Sequence, residues 1–178
     1  FNTLRLVSGR TYAANDFTLD ANSLVHLAAA TFDAAGQDVN VDLPAIAPWS
    51  VAGTLAVGVG GRLGLSPTTI VNVASTGTLR MLGSPFDLAT IAGYVGGGYA
   101  FTLNGLIEAS NYAFRDMGPA GIVIASTATF AAPPNDLRGG TFFSPQAGPE
   151  LSISRTSPLF LRYVRFQDLG AGEFNAYS

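Results

Sequence analysis

The chain has no cysteine and no lysine, and it has one histidine and one tryptophan. Without cysteine there is no disulfide framework, no thiolate nucleophile and no thiolate zinc site. Without lysine, all nine basic residues are arginine, and they form no run. With a net charge of −3, this excludes the electrostatic footprint of a nucleic-acid or anionic-lipid binder. Charged residues make up 12%, about half the usual share of roughly 25%. The surface must therefore be built from Ser, Thr, Asn, Gly and Ala. No uninterrupted apolar stretch approaches the roughly 18 residues of a membrane-spanning helix, so no membrane span is expected. Neither an Asn-x-Ser/Thr acceptor nor a Gly-x-Ser-x-Gly elbow occurs. Low charge and a small-polar surface fit an exported protein, extracellular or at the cell surface. The sequence starts at Phe1 with no leader, as a processed product or a piece of a longer chain would.

Apolar residues make up 48% of 178 residues, enough for a packed core without staples. One domain over 1–178 is expected, with 1–47, richer in Ala and Asp, as first coils or an N-terminal cap. The 21 glycines and 10 prolines are spread throughout, which leaves little room for helices. The best helical stretch is "SPFDLATIAGY", a short helix or a loop over 84–93, with Ser84 as N-cap and Pro85 at the first position. Strand patterns dominate, among them "QDVNVDL", "GTLAVGV", "TIVNVAS", "GTLRML" and "YAFTLNG". In "DVNVDL" Val39, Val41 and Leu43 alternate with Asp38, Asn40 and Asp42, the pattern of a half-buried strand.

Two longer regularities set the architecture. Leu55, Leu63, Val71 and Leu79 recur every eight residues, each two residues after Gly53, Gly61, Thr69 and Gly77. Strand plus turn thus takes eight residues, and three such units take two dozen. Separately, "YAFRDMG" from Tyr112 returns as "VRFQDLG" from Val164, 52 residues later, with Phe142 and Phe143 midway. One period of about two dozen residues accounts for both spacings and points to a solenoid. Phe114 and Phe166 then stack inside, each burial being worth roughly 1.5–3 kcal/mol. Asp116 and Asp168 fall where the coil turns, with side chains able to bond their own backbone, and Gly118 and Gly170 supply a positive φ. These repeats, with the stretch "SRTSPLFLRYVRFQDLG", resemble coils of right-handed parallel β-helix proteins of the pectin-lyase-like type. The resemblance covers about 51–178. It implies an all-β right-handed parallel β-helix, a β-solenoid with roughly 24–26 residues per coil. Such proteins include polysaccharide lyases and hydrolases, tailspikes, and repeat proteins without activity, so the fold alone selects no function. The alternative architecture is an antiparallel β-sandwich, whose hairpins would also suit an eight-residue spacing.

Candidate chemistry is sparse. Asp38, Asn40 and Asp42 could offer oxygens to Ca²⁺, but Leu43 and Trp49 stand where an EF-hand needs Gly and Glu; a solvated strand face is expected. His26 lies in a strand with no local triad partners, and a structural role is expected. Asp116 and Asp168, two coils apart, would sit about 10 Å from each other at about 4.8 Å per coil, beyond the usual carboxyl separation of inverting glycosidases. In "GYVGGGYAF" Tyr94 and Tyr99 flank a glycine run, and Trp49 follows Pro48; all three are candidates for stacking on sugar rings. Arg155, Arg162 and Arg165 could bind acidic polysaccharide; alternation places Arg162 on the same side as Val164 and Phe166, so at least one of the three is expected to be part-buried and paired, with Glu150 or Asp168 as partners. "GVGGRLG" lacks the phosphate-binding spacing and reads as strand turns. No catalytic residue, metal or cofactor is expected. The expectation is a non-enzymatic, exported structural or adhesive β-solenoid, joined through its ends to another copy or a longer parent chain. The alternatives are a polysaccharide-acting lyase or hydrolase fragment and a carbohydrate-binding module.

Overall fold

A computed structural model describes residues 4–7, 9–13, 17–94, 98–131, 136–155 and 158–167. Every strand pairing among them is parallel, and they include no helix. The chain winds through three sheets in turn, making a β-solenoid of about six turns. The antiparallel sandwich is thereby ruled out, because hairpin-joined neighbours would pair in the opposite sense.

The best-patterned stretch shows how the winding follows from sequence. Thr54–Val57 lies in the second sheet, Arg62–Leu65 in the third and Ile70–Val73 in the first. Thr78–Leu82 returns to the second, where Leu79 pairs with Leu55. Leu55, Leu63, Val71 and Leu79 are all fully buried, so the eight-residue period is one side of a three-sided coil. The positions two residues earlier are the corners. A Cβ on Gly77 would run into the carbonyl of Val51 one coil below, and one on Gly53 would meet that of Ala30. Only glycine lets successive coils approach there. Thr69 solves the same problem differently: its Oγ1 donates to Val41 O at 3.3 Å and accepts from the Leu43 N–H at 3.1 Å.

The first sheet stacks Leu4–Leu6, Leu24–His26, Trp49–Val51, Ile70–Val73, Tyr99–Leu103, Met117–Ile124 and Leu151–Ile153. The third stacks Phe17–Asp20, Asp38–Asp42, Arg62–Leu65, Ala89–Gly93, Tyr112–Arg115, Thr141–Phe143 and Arg165–Gln167. Leu4–Leu6, Thr11–Ala13 and Phe17–Asp20 each pair with the next coil like any other strand, so the first described strands already belong to the coils. Coil length is less uniform than 24–26. The step is 20 from Leu4 to Leu24, 24 from Leu55 to Leu79 and 30 from Ile70 to Ala100.

The aromatic column is in register. Phe114 faces Phe142 and Phe142 faces Phe166, steps of 28 and 24 that together make the repeat of 52. The rings stack at 5.6 Å and 17°, then at 5.3 Å and 19°. Of the two midway phenylalanines, Phe142 is buried and Phe143 faces outward.

Two local expectations change. Residues 84–88 form a loop and Ala89–Gly93 a strand. The capping bond exists, Asp87 N–H to Ser84 Oγ at 3.0 Å, and Ser84 N–H donates to Asp87 O at 2.8 Å. No helix follows because Thr90, Ile91 and Ala92 pair on both sides with Arg62–Gly64 and Ala113–Arg115. Gly118 is not the left-handed residue; Asp116 is, with φ 54°. Asp tolerates that region better than most residues. Gly118 answers a close approach, since a Cβ there would lie 3.0 Å from Tyr99 O. The side-chain turn expected of Asp116 is made by Asp33, whose Oδ1 accepts from Ala35 N–H at 2.8 Å. Asp168 and Gly170 lie outside the described residues.

Candidate functional site

The structure separates the three proposed sugar-stacking aromatics. Trp49 is 0% exposed and packs on His26 (6.2 Å, 26°) and edge-on to Phe32 (5.4 Å). Tyr99 is also 0% exposed, and its hydroxyl donates to Ile91 O at 3.2 Å. Burial raises the Tyr99 pKa well above that of an ordinary phenol, and the negative charge of Asp116 adds to the shift. Neither ring has a face to offer a ligand, so the platform built on Trp49 and Tyr99 is withdrawn. The cause is strand parity. Trp49 and Val51 point inward around Ser50, and Tyr99, Phe101 and Leu103 point inward around Ala100 and Thr102. Tyr94 is half-buried at the end of a strand, apart from both. The glycines that follow it, 96–97, lie outside the described residues.

His26 is a core residue, 3% exposed. Its Nε2 sits 3.0 Å from Ala30 O and therefore carries the proton. Among the described residues, Nδ1 and the neighbouring Trp49 Nε1 have no hydrogen-bond partner. Burial lowers the His26 pKa, with the Ala30 carbonyl opposing in part. The arginines near the end do not converge as expected. Arg155 donates to Ala128 O at 2.8 Å and lies over the Phe130 ring at 4.9 Å. Arg162 is exposed over Phe160 at 5.8 Å. Arg155 is thus the part-buried one of the three, and Arg162 does not share a side with Phe166, because the left-handed corner at Tyr163 (φ 56°) precedes the strand Arg165–Gln167 of the third sheet. Glu150 is buried and accepts from the Ser144 N–H at 3.0 Å.

A concave site does form, on the outer face of the third sheet. In the coil that holds Leu63 the turn before the strand is short; one coil on it becomes the loop 83–88. Leu79 to Ile91 takes 12 residues where Leu55 to Leu63 takes eight, so the loop stands out from the corner. Beyond it the corner shrinks to single left-handed residues, Asn111 (φ 50°) and then Gly139 (φ 65°). The protruding loop beside this step walls a groove of about 570 Å³. Thr90 and Ala92 line its sheet side and Phe86, Asp87, Arg115 and Asp116 its rim. Phe86 is 95% exposed. Arg62, also lining the groove, is held by Asp38 Oδ1 at 2.8 Å and Asn40 Oδ1 at 3.1 Å. The expected solvated face of Asp38 and Asn40 thus serves to pin this guanidinium. Among the described residues, the side chains of Asp87, Arg115 and Asp116 make no hydrogen bond or ion pair with the protein.

Sequence reasoning missed Phe86 and Asp87, having read their segment as helix or loop. The available signal was the four extra residues between Leu79 and Ile91. No family model matches the chain, and comparisons with characterised proteins and with solved structures give no match.

Proposed function

We propose that the chain is a non-enzymatic structural solenoid of the cell exterior, in which coils add to coils through the edges of the three sheets. One observation carries the reading: inward side chains superpose coil after coil, as Val39, Leu63, Ile91, Phe114, Phe142 and Phe166 do in the third sheet. Such a stack has nearest-neighbour energetics and extends by repetition. Among the described residues, the outermost strand of each sheet has a neighbour on one side only, and such an edge can take a further strand, from another copy or from a longer chain. Head-to-tail addition that does not close gives a filament.

Several polar side chains suited to catalysis are occupied structurally. His26 is buried against Trp49, Glu150 holds the Ser144 amide, and Asp38 and Glu108 pair with Arg62 and Arg80 at 2.8 and 3.3 Å. The test is electron microscopy over a concentration series, with sedimentation alongside and a reducing-end assay on polysaccharides. Concentration-dependent filaments or end-to-end oligomers without cleavage are expected. Persistent monomers that release new reducing ends would overturn the reading.

A further inference from the structure

We propose that the cleft between Arg138, Arg162 and Tyr163 binds a small phosphate, as the free ion or as a monoester. The cleft lies at the end of the second sheet's outer face and has a volume of about 400 Å³, lined by these three residues. Stacking builds it. Arg138 and Arg162 are partners one coil apart, on strands about 4.8 Å from each other. Leu137 and Leu161 pack toward the core, which turns both arginines outward, where both are exposed.

Two features of this corner point to an anion. The first is the sign of the charges. Asp38 faces Arg62 and Arg80 faces Glu108 across neighbouring strands, and those pairs close at 2.8 and 3.3 Å. Here arginine faces arginine. Like charges directly opposite each other destabilise a sheet, and an anion lying across both guanidiniums sets two attractions against that repulsion. The second feature is strain. Asn111, Gly139 and Tyr163 occupy the same left-handed corner on successive coils, with φ of 50°, 65° and 56°. Gly and Asn adopt that conformation readily, whereas a bulky ring is an outlier there. The core gains nothing from it, because Tyr163 is 86% exposed. Strain kept at an exposed residue points to a task for its side chain: the phenol hydroxyl gives the cleft a third donor.

The donor set selects the ligand. A carboxylate has two oxygens, which one guanidinium fork fills. A phosphate group presents at least three oxygens and about −1.5 to −2 charges at neutral pH, enough for both forks and the phenol. The Arg162 guanidinium already lies over the Phe160 ring at 5.8 Å, which lowers the entropy lost on binding. The volume falls within the usual range of roughly 300–1,000 Å³ for ligand sites, with room for a small organic substituent. No run of basic residues occurs in the chain, so a phosphodiester polymer is not matched. This inference goes beyond the structural reading and fails separately from it, since filaments are seen by microscopy and anion binding by titration.

The experiment is calorimetric titration of the intact chain at low ionic strength, where surface charge is least screened. The ligands are inorganic phosphate and phenyl phosphate, with acetate as the planar comparison. Saturable binding of at least one phosphate is expected, at least tenfold tighter than acetate. Tighter binding of phenyl phosphate assigns a monoester, and tighter binding of inorganic phosphate assigns the free ion. Arg162→Gln should weaken binding at least tenfold. Arg5→Gln, exposed on the first sheet, removes the same charge and should leave binding unchanged. Tyr163→Gly should raise the thermal midpoint by relieving the corner and still weaken binding at least threefold; a merely structural Tyr163 would give the first effect without the second. The proposal is overturned if neither phosphate saturates, if acetate binds as tightly, if Arg5→Gln weakens binding as much as Arg162→Gln, or if Tyr163→Gly loses stability or binds like the parent.

Discussion

Replacing Phe142 with alanine is the sharpest probe of the stacked interior. Phe142 is 1% exposed, lies between the rings of Phe114 and Phe166, and meets Tyr112 edge-on at 5.9 Å. Removing a buried phenyl ring costs about 3–5 kcal/mol, of which the lost ring pairs account for about 0.5–1.5 kcal/mol each. That is a large part of a usual domain stability of about 5–15 kcal/mol. Phe143, one residue on, is half-buried on the outer face, and its truncation should cost about 1 kcal/mol or less. Because coils interact chiefly with their neighbours, the damage should also be local. Hydrogen exchange should quicken in Tyr112–Arg115, Thr141–Phe143 and Arg165–Gln167, while Asp38–Asp42 stays protected. Urea titration gives the energies and exchange its location. Equal costs for Phe142→Ala and Phe143→Ala would refute the register, as would exchange that quickens uniformly along the chain.

Other substitutions test the corners and the buried histidine. Gly77→Ala should destabilise by about 1–3 kcal/mol in thermal or urea melts, because its Cβ has to displace the Val51 carbonyl. Asp116→Val should cost about 1–2 kcal/mol for a left-handed residue, while Asp116→Gly should be neutral or slightly stabilising; the reverse order would contradict φ 54°. The folded-state pKa of His26 lies below its ordinary value near 6.5, so the fold prefers the neutral ring. Its contribution is intact above about pH 6.5 and is lost as pH falls toward the folded pKa. The slope is at most about 1.4 kcal/mol per pH unit. Urea midpoints between pH 7.5 and 5.5 should decline in the parent and flatten in His26→Gln.

How far the sequence disclosed this depended on whether one residue type could fill a position. Leu55, Leu63, Val71 and Leu79 repeat visibly because each is the inward centre of one coil side, and glycine or threonine must precede it at the corner. Phe114 and Phe166 were legible for the same reason, and the register decides between Phe142 and Phe143. Trp49 and Tyr99 were misplaced because a neighbouring proline or glycine run suggested exposure; the alternation of Trp49-Ser50-Val51 and of Tyr99 through Leu103 already indicated an inward face. The left-handed turn at Asp116 leaves no mark that separates it from the glycine two residues on. The groove was hidden because Asp87 and Asp116 lie 29 residues apart and meet only through stacking, and because a capping serine before proline mimics a helix start. The serine makes its capping bond, and sheet pairing on both sides then takes over the backbone.

The central claim is that each coil lies on the last in parallel register. The absence of native cysteine makes it directly testable by disulfide trapping. Thr54 and Thr78 are partners one coil apart, at about 4.8 Å between adjacent strands, within the roughly 4.4–6.8 Å window for a disulfide. The double variant Thr54→Cys/Thr78→Cys is expected to cross-link under mild oxidation with the fold retained, and Thr54→Cys/Leu82→Cys, four residues out of register, is expected to stay reduced. Cross-linking of the displaced pair and not of the matched one would contradict the account.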